Sequence, residues 1–202
     1  MTGLLFQNAR LIDPETGTDQ LGTLAVENGA ITGPKGMDGA EVVDCAGHCL
    51  APGIVDIGVK VSEPGERHKE SFGSAGAAAA AGGVTTIVTR PDTLTPIDTP
   101  EVLEFVRRRA TEASPVRVLP MAALTRGRAG REMSEIGFLM DAGAVAFSDA
   151  DTVVADTKVF ARCLTYAASL GALIVGHPQE PVLSDGAAAT SGAFASRLGL
   201  PA

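Results

Sequence analysis

Apolar and polar positions along this chain fall into two rhythms, and the change comes at Ala51. Before it, short apolar runs alternate with turn residues: "LLFQNARLI" (Leu4–Ile12), "TLAVENGAIT" (Thr23–Thr32) and "EVVDC" (Glu41–Cys45). Runs of this length bounded by Gly, Asn and Asp read as strands. Asn28-Gly29 falls inside the second run, and both residues tolerate the positive φ that a two-residue hairpin turn requires. Residues 1–50 are therefore expected to form a small β layer.

From Ala51 onward, β-like runs alternate with helical ones. The strand candidates are "GIVDIGVKV" (Gly53–Val61), "GVTTIVT" (Gly83–Thr89), "VRVLPMAAL" (Val116–Leu124), "AVAFS" (Ala144–Ser148) and "ALIVGH" (Ala172–His177). Between them lie helix candidates at about Ser71–Ala81, Pro100–Ala113, Met133–Ala142 and Thr157–Leu170. Such alternation implies parallel βαβ units. Ser71 is suited to cap the first helix, and Gly82-Gly83 to stop it. The run "AGAAAAAGG" is expected to be a helix of small side chains packed on a sheet, because alanine has the best helix propensity. Five strands neither close an eight-stranded barrel nor finish a doubly wound sheet. The chain is thus expected to be a fragment of a longer protein or one of two pieces, with a complete open five-stranded sheet as the alternative.

Composition narrows the functional classes. The chain has 202 residues, 45% of them apolar, with a formal net charge of −8. That much apolar surface can bury a core. The acidic balance argues against nucleic acid or an anionic membrane as the main partner. No apolar run approaches a membrane span, and the start "MTGLLFQNARLIDPETG" lacks a basic, apolar leader. Three cysteines, Cys45, Cys49 and Cys163, fit a reducing cytoplasm better than a disulfide framework. Within "CAGHC", Cys45, His48 and Cys49 could contribute to a zinc site, but no fourth ligand is apparent. A strand end followed by a glycine turn is the plainer reading.

The segment "LAPGIVDIGVKVSEPGERHKESFGSAGAAAAAGGVTTIVTRPDT" resembles the dihydroorotases of the amidohydrolase superfamily. Their pattern is P-G-x-x-D-x-H-x-H-x-R-E-P-G, followed by G-G-x-T-T and M-P-N-T. The likeness continues through "GAVAFSDAD", against F-S-D-D-G, and through "LIVGHPQE"; "LIDPETG" is similar to the family's N-terminal segment. The resemblance implies that residues 51–202 are the first part of a (β/α)8 TIM barrel of the metal-dependent hydrolase type, preceded by a small N-terminal β-sandwich segment at residues 1–50. It also implies zinc at the strand ends and interconversion of dihydroorotate with N-carbamoyl-aspartate in pyrimidine biosynthesis.

Against that pattern the reactive positions are altered. Gly58 and Lys60 stand where the His-x-His ligands would be; one has no ligand atom and the other is a cation. In a regular strand, side chains two apart point the same way, so both positions should face one site. Ser62 replaces the arginine that would grip a substrate carboxylate. Asp92 replaces the asparagine of M-P-N-T, and Ala150 takes an acidic ligand position, although Asp149 and Asp151 flank it. Only His177 matches a ligand. The resemblance with these losses implies a pseudoenzyme without zinc that serves as an assembly partner of the aspartate transcarbamoylase catalytic chain, itself a homo-oligomer. The alternatives are an active amidohydrolase with an altered metal site and a small-molecule binding protein. Lys60 is expected either to pair with Asp92, Asp149 or Asp56, replacing a metal's charge, or to lie exposed at a strand end. His68 and Lys69 read as a solvated loop and "RRRA" (Arg107–Ala110) as a basic helix end. "TRGRAGRE" (Thr125–Glu132) reads as a surface loop placed where an anion or partner could bind.

Overall fold

The computed structural model describes residues 3–34 and 39–201. By its internal contacts the chain divides into two compact units, Met1–Gly53 and Ile54–Ala202.

The first unit is a single five-stranded sheet. Strands β1 (Leu4–Asp13) and β2 (Thr18–Glu27) pair antiparallel, with β3 (Ala30–Thr32) beyond β2. Strands β4 (Glu41–Asp44) and β5 (Cys49–Leu50) both pair parallel to β1. The Asn28-Gly29 turn forms as expected: φ is 52° and 78°, and Glu27 faces Ala30. β1 carries an irregularity between Phe6 and Ala9, where Asn8 takes a φ of 56° and donates to Asp44 Oδ1 at 3.0 Å. "CAGHC" is the plain turn: Ala46 and Gly47 have φ of 47° and 82°, and the His48 ring is occupied by the Cys45 carbonyl at 2.7 Å. Among the described residues no group of three His, Cys, Asp or Glu side chains could hold a metal ion.

The second unit is built on a parallel sheet in sequence order, β6 (Ile54–Val59), β7 (Val84–Thr89) and β8 (Arg117–Pro120). The fourth and fifth expected strands are reduced to single parallel bridges, Ala122 to Phe147 and Phe147 to Ile174. Backbone bonds continue the parallel pattern there, from Val145 to Pro120, Ala122 to Ala146, Ser148 to Ala122, Leu124 to Ser148, Phe147 to Leu173 and Val175 to Phe147, so the order of five neighbours persists. β6 ends the sheet, and its Ile54, Val55 and Ile57 are exposed.

Helices α1 (Phe72–Ala81), α2 (Pro100–Ala113), α3 (Ile136–Asp141) and α4 (Thr157–Leu170) follow the strands, with a short α5 (Ala193–Leu198) after them. Ser71 caps α1 through a reciprocal pair of bonds with Ser74, and Asp156 caps α4 by accepting from the amides of Lys158 and Val159. Gly171, at φ 68°, ends α4. α3 is shorter than the sequence pattern implies. In α1 only Phe72, Ala75 and Gly76 are buried, so much of the alanine run faces outward rather than packing on the sheet. Gly76 has a specific cause: a Cβ there would stand 2.4 Å from Ser114 Oγ, at the end of α2.

Two cores result. Phe72, Leu103, Val106, Ile136, Leu139, Phe147 and Cys163 fill the space between sheet and helices. Val88, Met121 and Ala146 form a second cluster, and strand alternation puts it on the other face of the sheet. No helix among the described residues is long and apolar enough to cross a membrane.

Candidate functional site

Because the strands run parallel, their C-terminal ends gather the loops that carry most of the candidate residues. β6 does not stay regular up to its end. Its register against β7 slips between Ile57 and Val59, and Gly58 at that point has a φ of 94°. A Cβ at Gly58 would meet nothing within 4 Å, so backbone torsion rather than space favours glycine. This corrects the expectation of strict alternation between positions 58 and 60. A bulged strand re-aims its side chains.

Lys60 Nζ lies 2.9 Å from Asp92 Oδ2. Asp92 is buried, its side chain 2% exposed, while the Lys60 side chain is 55% exposed. The paired and exposed readings of Lys60 therefore describe the same side chain, with a solvated stem and an engaged head. Asp92, rather than Asp149 or Asp56, is the partner.

The stronger partner of Asp92 is Arg90. Its Nε and Nη2 donate to Oδ1 and Oδ2 at 3.0 and 2.7 Å, a two-pronged contact with the side chain only 26% exposed. Bidentate charge-assisted bonds outweigh a half-solvated ammonium contact, which is worth about 1 kcal/mol or less.

Arg90 reaches further: its Nη2 is 3.3 Å from Asp151 Oδ2. Arg128 meets the other oxygen of Asp151 at 3.1 Å and donates to the Asp149 carbonyl and the Thr152 hydroxyl. Within "TRGRAGRE", then, Arg128 is a partly buried tie to the neighbouring loop, whereas Arg126 pairs with Glu132 and Glu135 at the surface. Asp149 is buried and points away from that chain. It accepts from the Thr125 amide at 3.0 Å and from the Thr125 hydroxyl.

The remaining candidates divide. Gly58, Ala150 and His177 border one cavity of about 240 Å³, together with Arg90, Ser148 and Asp151. His177 Nε2 bonds to Gln179 Oε1 at 2.9 Å, and an adjoining cavity of about 270 Å³ lies between His177 and Asp149. Ala150, at φ 57°, contributes no ligand atom. Ser62 is buried, and its carbonyl accepts from the Glu66 amide at 2.8 Å.

Sequence reading missed Glu63 and Arg109. Glu63 is 5% exposed, accepts from the Phe72 amide at the start of α1, and takes Arg109 Nε at 3.0 Å. "RRRA" is thus more than a basic helix end. Arg109 pairs with this buried acid, and Arg107 donates to the Ala142 carbonyl that ends α3.

Burial pushes the Asp92 carboxyl up, but the bonds and charges of Arg90 and Lys60 prevail and hold it below the ordinary carboxylate value. Asp151 is shifted the same way, its desolvation outweighed by backbone hydrogen bonding and the charge of Arg90. A carboxylate lowered in the folded state stabilises above its unfolded value of about 4, and that gain is lost as pH falls through the lowered value. Acid titration of stability should therefore show a fall below about pH 4 that Asp92→Asn flattens. An unchanged acid limb in the variant would show that Asp92 is not held in this way.

The residues present do not fit a catalytic zinc ion. Two imidazole positions are a glycine in a positive-φ bulge and a lysine bound to a carboxylate, and Asp92 and Asp151 already carry cationic partners.

Comparison with known proteins gives a consistent neighbourhood. The family model described as "Dihydro-orotase-like" matches residues 47–201. A "Dihydroorotase-like protein" of Pseudomonas putida is 40% identical over 197 residues, covering 96% of this chain and 46% of its own. A "Dihydroorotase" of a Sulfurihydrogenibium species is 35% identical, covering 98% of this chain and 48% of its own. The chain spans about half the length of the curated relatives it matches. Among solved structures, the L-hydantoinase (dihydropyrimidinase) of Arthrobacter aurescens superposes with a TM-score of 0.78 at 21% identity. It covers 92% of this chain and 42% of its own. The D-hydantoinase of a Thermus species gives 0.72 at 20% identity, over 90% and 41%. At that identity the likeness is one of fold: the early part of a metal-dependent hydrolase barrel with its N-terminal sheet.

Proposed function

Because the chain belongs to the dihydro-orotase-like family of the amidohydrolase superfamily, we propose that it is a non-catalytic dihydroorotase relative serving pyrimidine biosynthesis as a structural partner. The observation that carries this reading is the strand tip itself. Lys60 stands 2.9 Å from buried Asp92, and Gly58 supplies no side chain beside it. Opening a cyclic amide calls for a polarised carbonyl and an activated water, which a bound divalent ion provides. A tethered ammonium repels such an ion and cannot take its coordination number.

Family membership says little about activity, which resides in the site. What the family retains here is a folded surface, and the partner we assign to it is the aspartate transcarbamoylase catalytic chain, with this protein itself a homo-oligomer of the cytoplasm. The test uses the full-length protein. Zinc content should be well below one per chain, dihydroorotate turnover should not exceed background, and the protein should co-elute with aspartate transcarbamoylase. Turnover with stoichiometric zinc would return it to the active hydrolases. Separate migration of the two folded proteins would remove the partner.

A further inference from the structure

A divalent ion at the mouth of such a barrel would join loops from several strands through its charge. In this chain the same loops are joined by protein groups in an unbroken series: Lys60 to Asp92 at 2.9 Å, Asp92 to Arg90 at 2.7 Å, Arg90 to Asp151 at 3.3 Å, and Asp151 to Arg128 at 3.1 Å. Lys60 follows the first parallel strand, Arg90 and Asp92 the second, Arg128 the third and Asp151 the fourth. Three cations and two carboxylates alternate along the series, so no two like charges are neighbours in it.

Arg90 is the only member that contacts two carboxylates from different loops. It also borders the cavity shared by Gly58, Ala150 and His177. A planar guanidinium can serve two acceptors at once, which a lysine ammonium on a flexible stem does far less well.

We infer that Arg90 is the positioning residue of this rim, bridging Asp92 and Asp151 so that the loops after the first four strands are ordered without a metal ion. The inference rests on the proposed function only in taking the rim to be metal-free. Zinc content and turnover of the unaltered protein test that premise, and the following measurement tests this one separately.

Amide hydrogen exchange is followed in the full-length protein and in Arg90→Ala. Exchange should quicken about tenfold or more both at residues 60–62 and at residues 149–152, which are ordered from opposite sides of the bridge. Low-millimolar guanidinium, far below denaturing concentration, should restore protection at both. Arg90→Lys should restore at most one, a pattern that simple loss of packing would not produce. Quickening at one segment alone, or at neither, would overturn the assignment, as would failure of guanidinium to rescue. Should Arg90→Ala not fold, Asp151→Asn cuts only the far half of the series. It should loosen residues 149–152 while leaving 60–62 protected, and loosening of both or neither would count against the bridge.

Discussion

Replacing Phe147 by alanine will lower folding stability by about 3–5 kcal/mol, the range for truncating a fully buried aromatic. Phe147 is 1% exposed and lies in the core between sheet and helices with Leu139 and Cys163. Its backbone is also the one point where the fourth strand position meets both neighbours, Ala122 and Ile174. Backbone bonds tie Val145 and Ser148 to the third strand position and Phe147 to the fifth, and burial of the Phe147 ring adds to what keeps this part of the sheet in register. Of the residues that follow Phe147, Ser148, Ala150 and Asp151 border the cavity, and Asp151 is the fourth member of the ion-pair series. Urea unfolding of the full-length protein should show a lower midpoint with an unchanged slope, and Phe147→Leu should recover most of the loss. A cost below about 1 kcal/mol would mean that the site collapses freely around the void.

The second large effect concerns reversal of the strand-tip changes. Gly58→His together with Lys60→His restores the two imidazoles in sequence, yet it should not create a stoichiometric zinc site. A histidine at φ 94° is strained by about 1–3 kcal/mol, and relieving that strain means undoing the register slip between Ile57 and Val59. Arg90 would still occupy Asp92 and Asp151, so incoming cation and resident cation would compete. Zinc titration followed by calorimetry, with thermal unfolding alongside, should show weak, substoichiometric binding and a less stable protein. Tight one-to-one binding in the double variant would show that the backbone has not adapted to the glycine.

Much of this architecture was legible in the residues. The Asn28-Gly29 turn, the Ser71 cap and the ends of α2 and α4 follow from local torsion and hydrogen-bond rules, which act within a few positions. An acidic partner for Lys60 was also legible, but only as one of three carboxylates or none, and the choice of Asp92 comes from the fold. What the sequence concealed depends on distance. The bulge at Gly58 is a property of β6 against β7, and "GIVDIGVKV" alone reads as an ordinary alternating strand. In "TRPDT" the family pattern marks Asp92 and gives Arg90 no such mark. Its i, i+2 spacing to that acid was the available signal, but the reach to Asp151 crosses two strands. Glu63 lies in the E-P-G of the family pattern, and its use by Arg109, 46 positions on, exists only once α2 has docked. Apolar content marks the fourth and fifth strand positions but does not fix how many bridges form there, which depends on how well a neighbour's backbone aligns.

β6 ends its sheet with Ile54, Val55 and Ile57 turned to solvent. Free backbone donors and acceptors beside apolar side chains form a template that an extended segment of any other molecule can adopt. Such a margin favours the addition of a further strand, and a charged substitution at Val55 would oppose whatever pairs there.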